Sequence, residues 1–266
     1  MIFLAITACV LYLLAAGWRT ICLFRPAWVA SPAYPWDLWY GAVAVVLHTV
    51  SLASLLLAPT GWMPDLFSAT SFAAGLVAGL FILSCLTRPL HSLGIVVFPL
   101  AAMSVLTELN MPSSHTVPPL SVNAPLLGHI LASMLAYAVL SLAAAQAILL
   151  TVQDQCLRRH RPNGFIRSLP PLQTMESVLF ELIVLGFMLL SLALLLGLTN
   201  LHDMFAQQVA HKTILSVLAW VVFAGLLWRR WQGGWRGHTA IRWTLSGFSL
   251  LLLAYFGSKV VLELIL

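Results

Sequence analysis

Residues 125–160 read "PLLGHILASMLAYAVLSLAAAQAILLTVQDQCLRRH", and this segment identifies the class of protein. From Leu126 to Val152 it is almost wholly apolar, and it is longer than the about 20 residues that cross a bilayer as a helix. Arginines follow soon after, as expected where a span ends in the cytoplasm. His129 is out of place, because it lies in the first turn of the apolar run, where alanine would favour the helix more.

The composition of the whole chain supports a membrane protein. Of its 266 residues, 61% are hydrophobic and only 8% are charged, whereas soluble domains carry about 25% charged residues. No water-soluble fold has enough interior for so much apolar side chain, so the solvent of this protein is predicted to be lipid. The formal charge of +5 does not indicate a nucleic-acid partner, because the basic residues are not gathered on one soluble face.

Eight segments of the chain are apolar and long enough to cross a bilayer. Pro-containing, Gly-containing or polar breaks separate them. They are residues 2–23, 37–58, 64–86, 90–108, 126–152, 176–200, 211–229 and 242–264. Pro99 interrupts the fourth, which a membrane helix tolerates when neighbouring groups satisfy the freed carbonyl. The chain is therefore predicted to be all-α, a polytopic membrane helix bundle that forms one domain over residues 1–266.

The basic residues set the predicted orientation. With the N-terminus outside, eleven arginines lie at the cytoplasmic ends of the spans and two lysines lie outside. This is the positive-inside pattern, so we expect eight transmembrane helices with both termini outside (N-out/C-out). The expected location is the bacterial inner (plasma) membrane. The lipid bilayer is then the main partner, and other inner-membrane proteins are a second class of partner.

Histidines inside or beside the spans are the candidate functional residues, since ionisable groups are costly in lipid. His129, His202 and His211 are predicted to lie at one outer level on three helices. Imidazole is a common axial ligand of haem iron, so two of them could ligate one flat cofactor. For His202 and His211, a solvated loop position is an equal alternative. His48, near the centre of the second span, is either a deeper cofactor ligand or a core histidine satisfied by a serine, a carbonyl or water.

Four motifs in the second half of the chain carry a resemblance to a known family. "PLLGHILASMLAYA" places Tyr137 and Ala138 after His129, and "SLPPLQTMES", "HKTILSVLAW" and "GWRGHTAIRWTLSGFSLLLLAYFGSK" follow in order. These segments resemble the CcsA/CcmC-type cytochrome c assembly family, in its short YpjD/HemX-like subgroup. The resemblance implies haem b, bound non-covalently near the periplasmic side. Its axial ligands would be His129 and one of His202 or His211.

The chain departs from the pattern of the haem-handling members of that family. Its outer loop "TNLHDMFAQQVAHKT" contains no tryptophan, although those members carry a tryptophan-rich loop there. Its last outer segment has no histidine, and Arg229 and Arg230 stand where a histidine is found at the inner end of the seventh span. Delivery of haem to apocytochrome c is therefore not expected of this chain.

Three functions compete on the sequence. The first is a membrane haem-binding or haem-handling protein that is not an enzyme, since no Gly-rich phosphate loop, HExxH or GxSxG motif occurs. The second is a regulatory or accessory subunit, or a scaffold, for another membrane protein or for tetrapyrrole metabolism. Its basic inner loops would dock a partner or touch anionic lipid. The third is a small-solute or ion transporter, for which Glu181 in the sixth span is the candidate carboxylate.

Overall fold

A computed structural model describes the chain over residues 2–24, 35–56, 66–110, 124–159, 169–198 and 210–257. Within these ranges there are eight α-helices and no strand. The helices are α1 (Ile2–Phe24), α2 (Trp36–Leu56), α3 (Leu66–Cys85), α4 (Gly94–Asn110), α5 (Ala124–Arg158), α6 (Leu172–Leu198), α7 (Ala210–Gly233) and α8 (His238–Leu252). A 3₁₀ turn at His91–Leu93 precedes α4, and a π-helical segment at Leu253–Gly257 continues α8. The prediction of an all-α polytopic bundle is confirmed.

Seven helical segments within the described ranges are long and apolar enough to cross a membrane. The eighth predicted span, residues 242–264, is helical as far as Gly257, and its remainder lies outside the described residues. Helix α4 runs through Pro99 without ending, as a membrane helix permits. Helix α5 has 35 residues and exceeds the predicted span of 126–152, because the polar residues that follow the apolar run continue the helix. The N-out/C-out orientation stays a prediction.

The helices divide into two compact units. The first comprises Met1–Ser121 with Cys156–Pro170, and the second comprises Val122–Gln155 with Pro171–Leu266. In the first unit, α1 and α3 each pack against α2 and α4. In the second unit, α7 packs against α6, α8 and the π-helical segment. The contacts within each unit do not test the prediction of one domain over residues 1–266, which stays a prediction.

Aromatic side chains fill the interior of the first unit. Phe98 of α4 packs edge-on against Phe81, with 5.3 Å between ring centroids, and stacks on Tyr12 at 6.1 Å. All three rings are fully buried. Gly41 of α2 makes room for the Phe98 ring, because a Cβ atom there would lie 2.5 Å from it. Close approach at small residues is the usual way in which membrane helices gain packing contacts.

Glycines allow close packing of helices in the second unit as well. A Cβ atom at Gly186 of α6 would lie 2.5 Å from two atoms of Leu140 in α5, and one at Gly247 of α8 would lie 2.8 Å from Phe223 in α7. The outward face of α6 is apolar at helical spacing. It exposes Leu185, Met188, Leu192 and Leu195. In a bilayer, lipid tails cover such a stripe, so its exposure is consistent with a membrane-embedded unit.

Candidate functional site

His129 lies on the second turn of α5, and its side chain is half-buried. Its Nδ1 atom is 2.7 Å from the backbone carbonyl oxygen of Ala193 in α6. A carbonyl oxygen only accepts hydrogen bonds, so Nδ1 carries the hydrogen and donates it. In the neutral ring the lone pair is then on Nε2. No described residue forms a hydrogen bond with Nε2.

This arrangement meets one requirement of a histidine that ligates a metal. Such histidines almost always donate their second ring N–H to a carbonyl or carboxylate, which fixes the tautomer and the ring orientation. The Ala193 carbonyl supplies that acceptor to His129, and Ala193 itself is buried. The donor chemistry of His129 therefore fits an axial ligand of haem iron.

A glycine on α6 makes room for the imidazole. A Cβ atom at Gly197 would lie 3.1 Å from both Cε1 and Nδ1 of His129, which is closer than ordinary van der Waals contact. Gly197 follows Ala193 by four residues, so both lie on one face of α6. Helix α6 thus presents a backbone carbonyl and a glycine to the ring.

Close to Ala193, a polar contact joins α6 to α7. The indole Nε1 of Trp220 donates a hydrogen bond to Ser191 Oγ at 2.8 Å. The Trp220 ring also stacks on Phe187, with 5.4 Å between centroids. Trp220 is half-buried in the middle of α7, so it is not part of an interfacial aromatic belt. Sequence reasoning missed this pair, although a serine within the long apolar run of α6 was the available signal.

Tyr137 joins α5 to the last helix of the second unit. Its ring packs against Phe248 of α8 at 5.6 Å and against Tyr255 at 5.9 Å between centroids. Tyr255 belongs to the π-helical segment, and π-helical turns are rare and often mark functional sites. Tyr137 follows His129 by eight residues, which is about 12 Å along the axis of α5. The aromatic cluster therefore lies about two turns from the imidazole.

The predicted partners of His129 fall largely outside the described part of the chain. His202 lies outside the described residues. The backbone of His211 is in the first turn of α7, but its side chain is not described. The second axial ligand therefore stays a prediction. Across the described ranges, no group of three or more His, Cys, Asp or Glu residues could hold a metal ion.

His48 belongs to the first unit and is fully buried there. Its Nδ1 is 3.3 Å from the hydroxyl of Tyr12 and its Nε2 is 2.8 Å from the hydroxyl of Ser71. A Cβ atom at Gly75 would lie 3.3 Å from the ring, so α3 also passes close to it. Because both ring nitrogens have hydroxyl partners, the geometry favours a core histidine over the cofactor ligand that the sequence left as its alternative.

Most of the chain matches a known protein family. The profile of the cytochrome C assembly protein family matches residues 36–266. The chain belongs to the cytochrome c assembly family. The resemblance found in the motifs around His129 is therefore confirmed at the level of the family.

Curated relatives agree with the family assignment. Inner membrane protein YpjD of Escherichia coli K12 is 29% identical over 225 residues, which covers 84% of this chain and 85% of the relative. Cytochrome c biogenesis protein CcsA of Gloeothece citriformis is 24% identical over 294 aligned positions, covering 88% of this chain and 89% of the relative. An uncharacterized 28.8 kDa protein of Azospirillum brasilense is 34% identical over 140 residues, covering 52% of each chain. No solved structure matches the chain significantly.

The prediction of a multi-pass protein of the inner membrane is confirmed by the apolar helices and by the E. coli relative, which is named an inner membrane protein. Family membership also makes haem the candidate cofactor, because relatives named CcsA are cytochrome c biogenesis proteins. In this member of the cytochrome c assembly family, the imidazole of His129 is held by a hydrogen bond from Nδ1 to the Ala193 carbonyl.

Proposed function

We propose that this protein is a haem-handling membrane protein that binds haem b non-covalently, with Nε2 of His129 as one axial ligand. The observation that carries the proposal is the 2.7 Å hydrogen bond from His129 Nδ1 to the Ala193 carbonyl, which directs the ring and leaves Nε2 to bind. Bound haem would supply the iron centre. His202 or His211 would provide the second imidazole.

The residues around His129 hold the imidazole and do not form a catalytic set. The Ala193 carbonyl orients the ring, and Gly197 allows α6 to approach it closely. We propose that the protein is not an enzyme and that it holds or passes haem within the membrane. Because the outer loop lacks tryptophan, presentation of haem to apocytochrome c is not part of this proposal.

Haem content of the purified protein tests the proposal. The full chain would be purified in mild detergent from cells supplied with 5-aminolevulinate, and its Soret absorbance would be measured per mole of protein. We expect His129→Ala to lose most of this absorbance. His238→Gln is the matched control, because it removes an exposed histidine at the start of α8. Glutamine can still donate a hydrogen bond to Asp154, whose carboxylate is 2.8 Å from His238 Nε2. His48→Gln tests the other predicted ligand and is expected to keep the absorbance of folded protein.

Chemical rescue separates lost ligation from misfolding. In His129→Gly, free imidazole in the buffer should restore the Soret band, because it replaces the missing ring at the iron. His202→Ala and His211→Ala, measured in the same way, identify the second ligand by the change in band position. A Soret band that is unchanged in His129→Ala overturns the proposal. A folded wild-type protein without haem also overturns it. A regulatory subunit or scaffold, and a small-solute or ion transporter, would then be the remaining interpretations.

A further inference from the structure

Exposed arginines and tryptophans surround the connection between α7 and α8 in the second unit. We call these residues the α7–α8 turn surface. They are Trp228, Arg229, Trp231, Arg236 and Arg242. The side chain of Trp231 is 81% exposed and that of Trp228 is 55% exposed. Exposed indoles at the end of a membrane span are the side chains that the headgroup region of a bilayer covers.

The positive charge of this surface is not neutralised by the described part of the chain. Arg229, Arg236 and Arg242 form no ion pair with a described carboxylate. Arg230 differs, because its guanidinium is 3.3 Å from the carboxylate of Glu176 and is partly shielded from solvent. Within the described ranges, one arginine of this region is paired with an acid, and three guanidinium groups have no carboxylate partner.

Internal contacts hold the turn that carries these arginines. Arg230 Nη1 donates to the Trp235 carbonyl at 3.1 Å, and the Arg230 guanidinium lies over the Phe180 ring at 4.3 Å. Gly234 and Gly237 have φ values of 63° and 57°, a backbone conformation that favours glycine. The turn is therefore ordered before any ligand binds, which lowers the entropy lost on binding.

The tryptophans indicate the depth at which the α7–α8 turn surface lies in the membrane. Trp228 and Trp231 pack edge-on with 5.9 Å between centroids, and the Arg229 guanidinium lies over the Trp235 ring at 5.1 Å. Indole side chains prefer the headgroup level of a bilayer. Helix α7 is apolar enough to span the membrane and ends at this turn, so the guanidinium groups reach the level of lipid phosphates.

We propose that the α7–α8 turn surface binds the phosphate headgroup of an anionic phospholipid. The guanidinium groups of Arg229, Arg236 and Arg242 supply charge and hydrogen-bond donors to the phosphate. Trp228 and Trp231 contact the upper part of the acyl chains. This inference is independent of haem binding, since it uses none of the residues around His129.

Lipid retention by the full chain tests this inference. Detergent-solubilised protein would be titrated with phosphatidylglycerol or phosphatidylcholine, and bound lipid would be counted by native mass spectrometry. We expect retention of phosphatidylglycerol over phosphatidylcholine, with about fivefold weaker binding for each of Arg229→Gln, Arg236→Gln and Arg242→Gln. The triple variant should lose the preference.

The control variant removes three exposed basic charges from the other unit. It combines Arg88→Gln, Arg158→Gln and Arg159→Gln. If arginine placement serves only membrane topology, both triple variants will lose lipid equally, and the inference is wrong. Competition by inorganic phosphate as strong as that by the lipid, or retention of a polypeptide instead of lipid, would also overturn it. If a triple variant fails to fold, the single variants provide the same comparison.

Discussion

Gly197→Ala adds one methyl group where α6 passes the imidazole of His129. The new Cβ atom would lie 3.1 Å from two ring atoms, so the ring must move by a few tenths of an ångström. Replacing glycine by alanine in a helix is otherwise worth about 1 kcal/mol of stability, whereas overpacking a filled interior costs about 1–3 kcal/mol. We expect a net loss of about 1 kcal/mol in the native background. In the His129→Ala background the clash is absent, so the same change should stabilise by up to about 1 kcal/mol.

A double-mutant cycle on haem-free protein measures this coupling. The free energy of unfolding of the wild type, the two single variants and the double variant would be obtained from circular dichroism during denaturation in mixed micelles. The coupling energy should be about 1–2 kcal/mol. Gly17→Ala is the control for helix propensity, because nothing lies within 4 Å of a Cβ atom there. If Gly197→Ala has the same effect in both backgrounds, α6 does not approach the ring as described, and the orientation of His129 by α6 is refuted.

Other contacts give predictions of the same kind. Gly186→Ala places a Cβ atom 2.5 Å from Leu140 and should cost about 1–3 kcal/mol in thermal unfolding, and Leu140→Ala in the same chain should relieve that clash. Tyr12→Phe removes the hydroxyl 3.3 Å from His48 Nδ1 and should cost about 1–3 kcal/mol, because a buried polar atom loses its partner. An unchanged unfolding temperature would contradict this. Arg230→Gln removes the guanidinium contacts to the Glu176 carboxylate and to the Trp235 carbonyl, so chymotrypsin should cleave the α7–α8 turn faster than in the wild type.

Composition and apolar runs were sufficient to predict the fold class. A chain with 61% hydrophobic and 8% charged residues has few alternatives to a helical membrane bundle, and the long apolar segments correspond to helices in the described ranges. Helix ends were predicted less well. Helix α5 continues to Arg158 because glutamine, aspartate and arginine are tolerated in a helix once it leaves the lipid.

The geometry of the site depends on contacts that no local pattern contains. The histidine at position 129 was visible as a polar residue in an apolar run. Its hydrogen-bond acceptor is a backbone carbonyl 64 residues away, and every residue type carries such a carbonyl. The position of Gly197 beside the ring was equally hidden, since glycine is frequent in membrane helices. The partners of His48 were hidden in the same way, because Tyr12 and Ser71 are recognisable as partners only when three helices are packed together.

The hydrogen that Nδ1 of His129 gives to the Ala193 carbonyl has a thermodynamic consequence. Only Nε2 is left to accept either a proton or a Lewis acid, so the two compete for one lone pair. Each metal ion that binds to the protonated ring must release one proton, and acidification opposes binding by mass action. Iron bound at this nitrogen, as proposed, would therefore keep the ring uncharged.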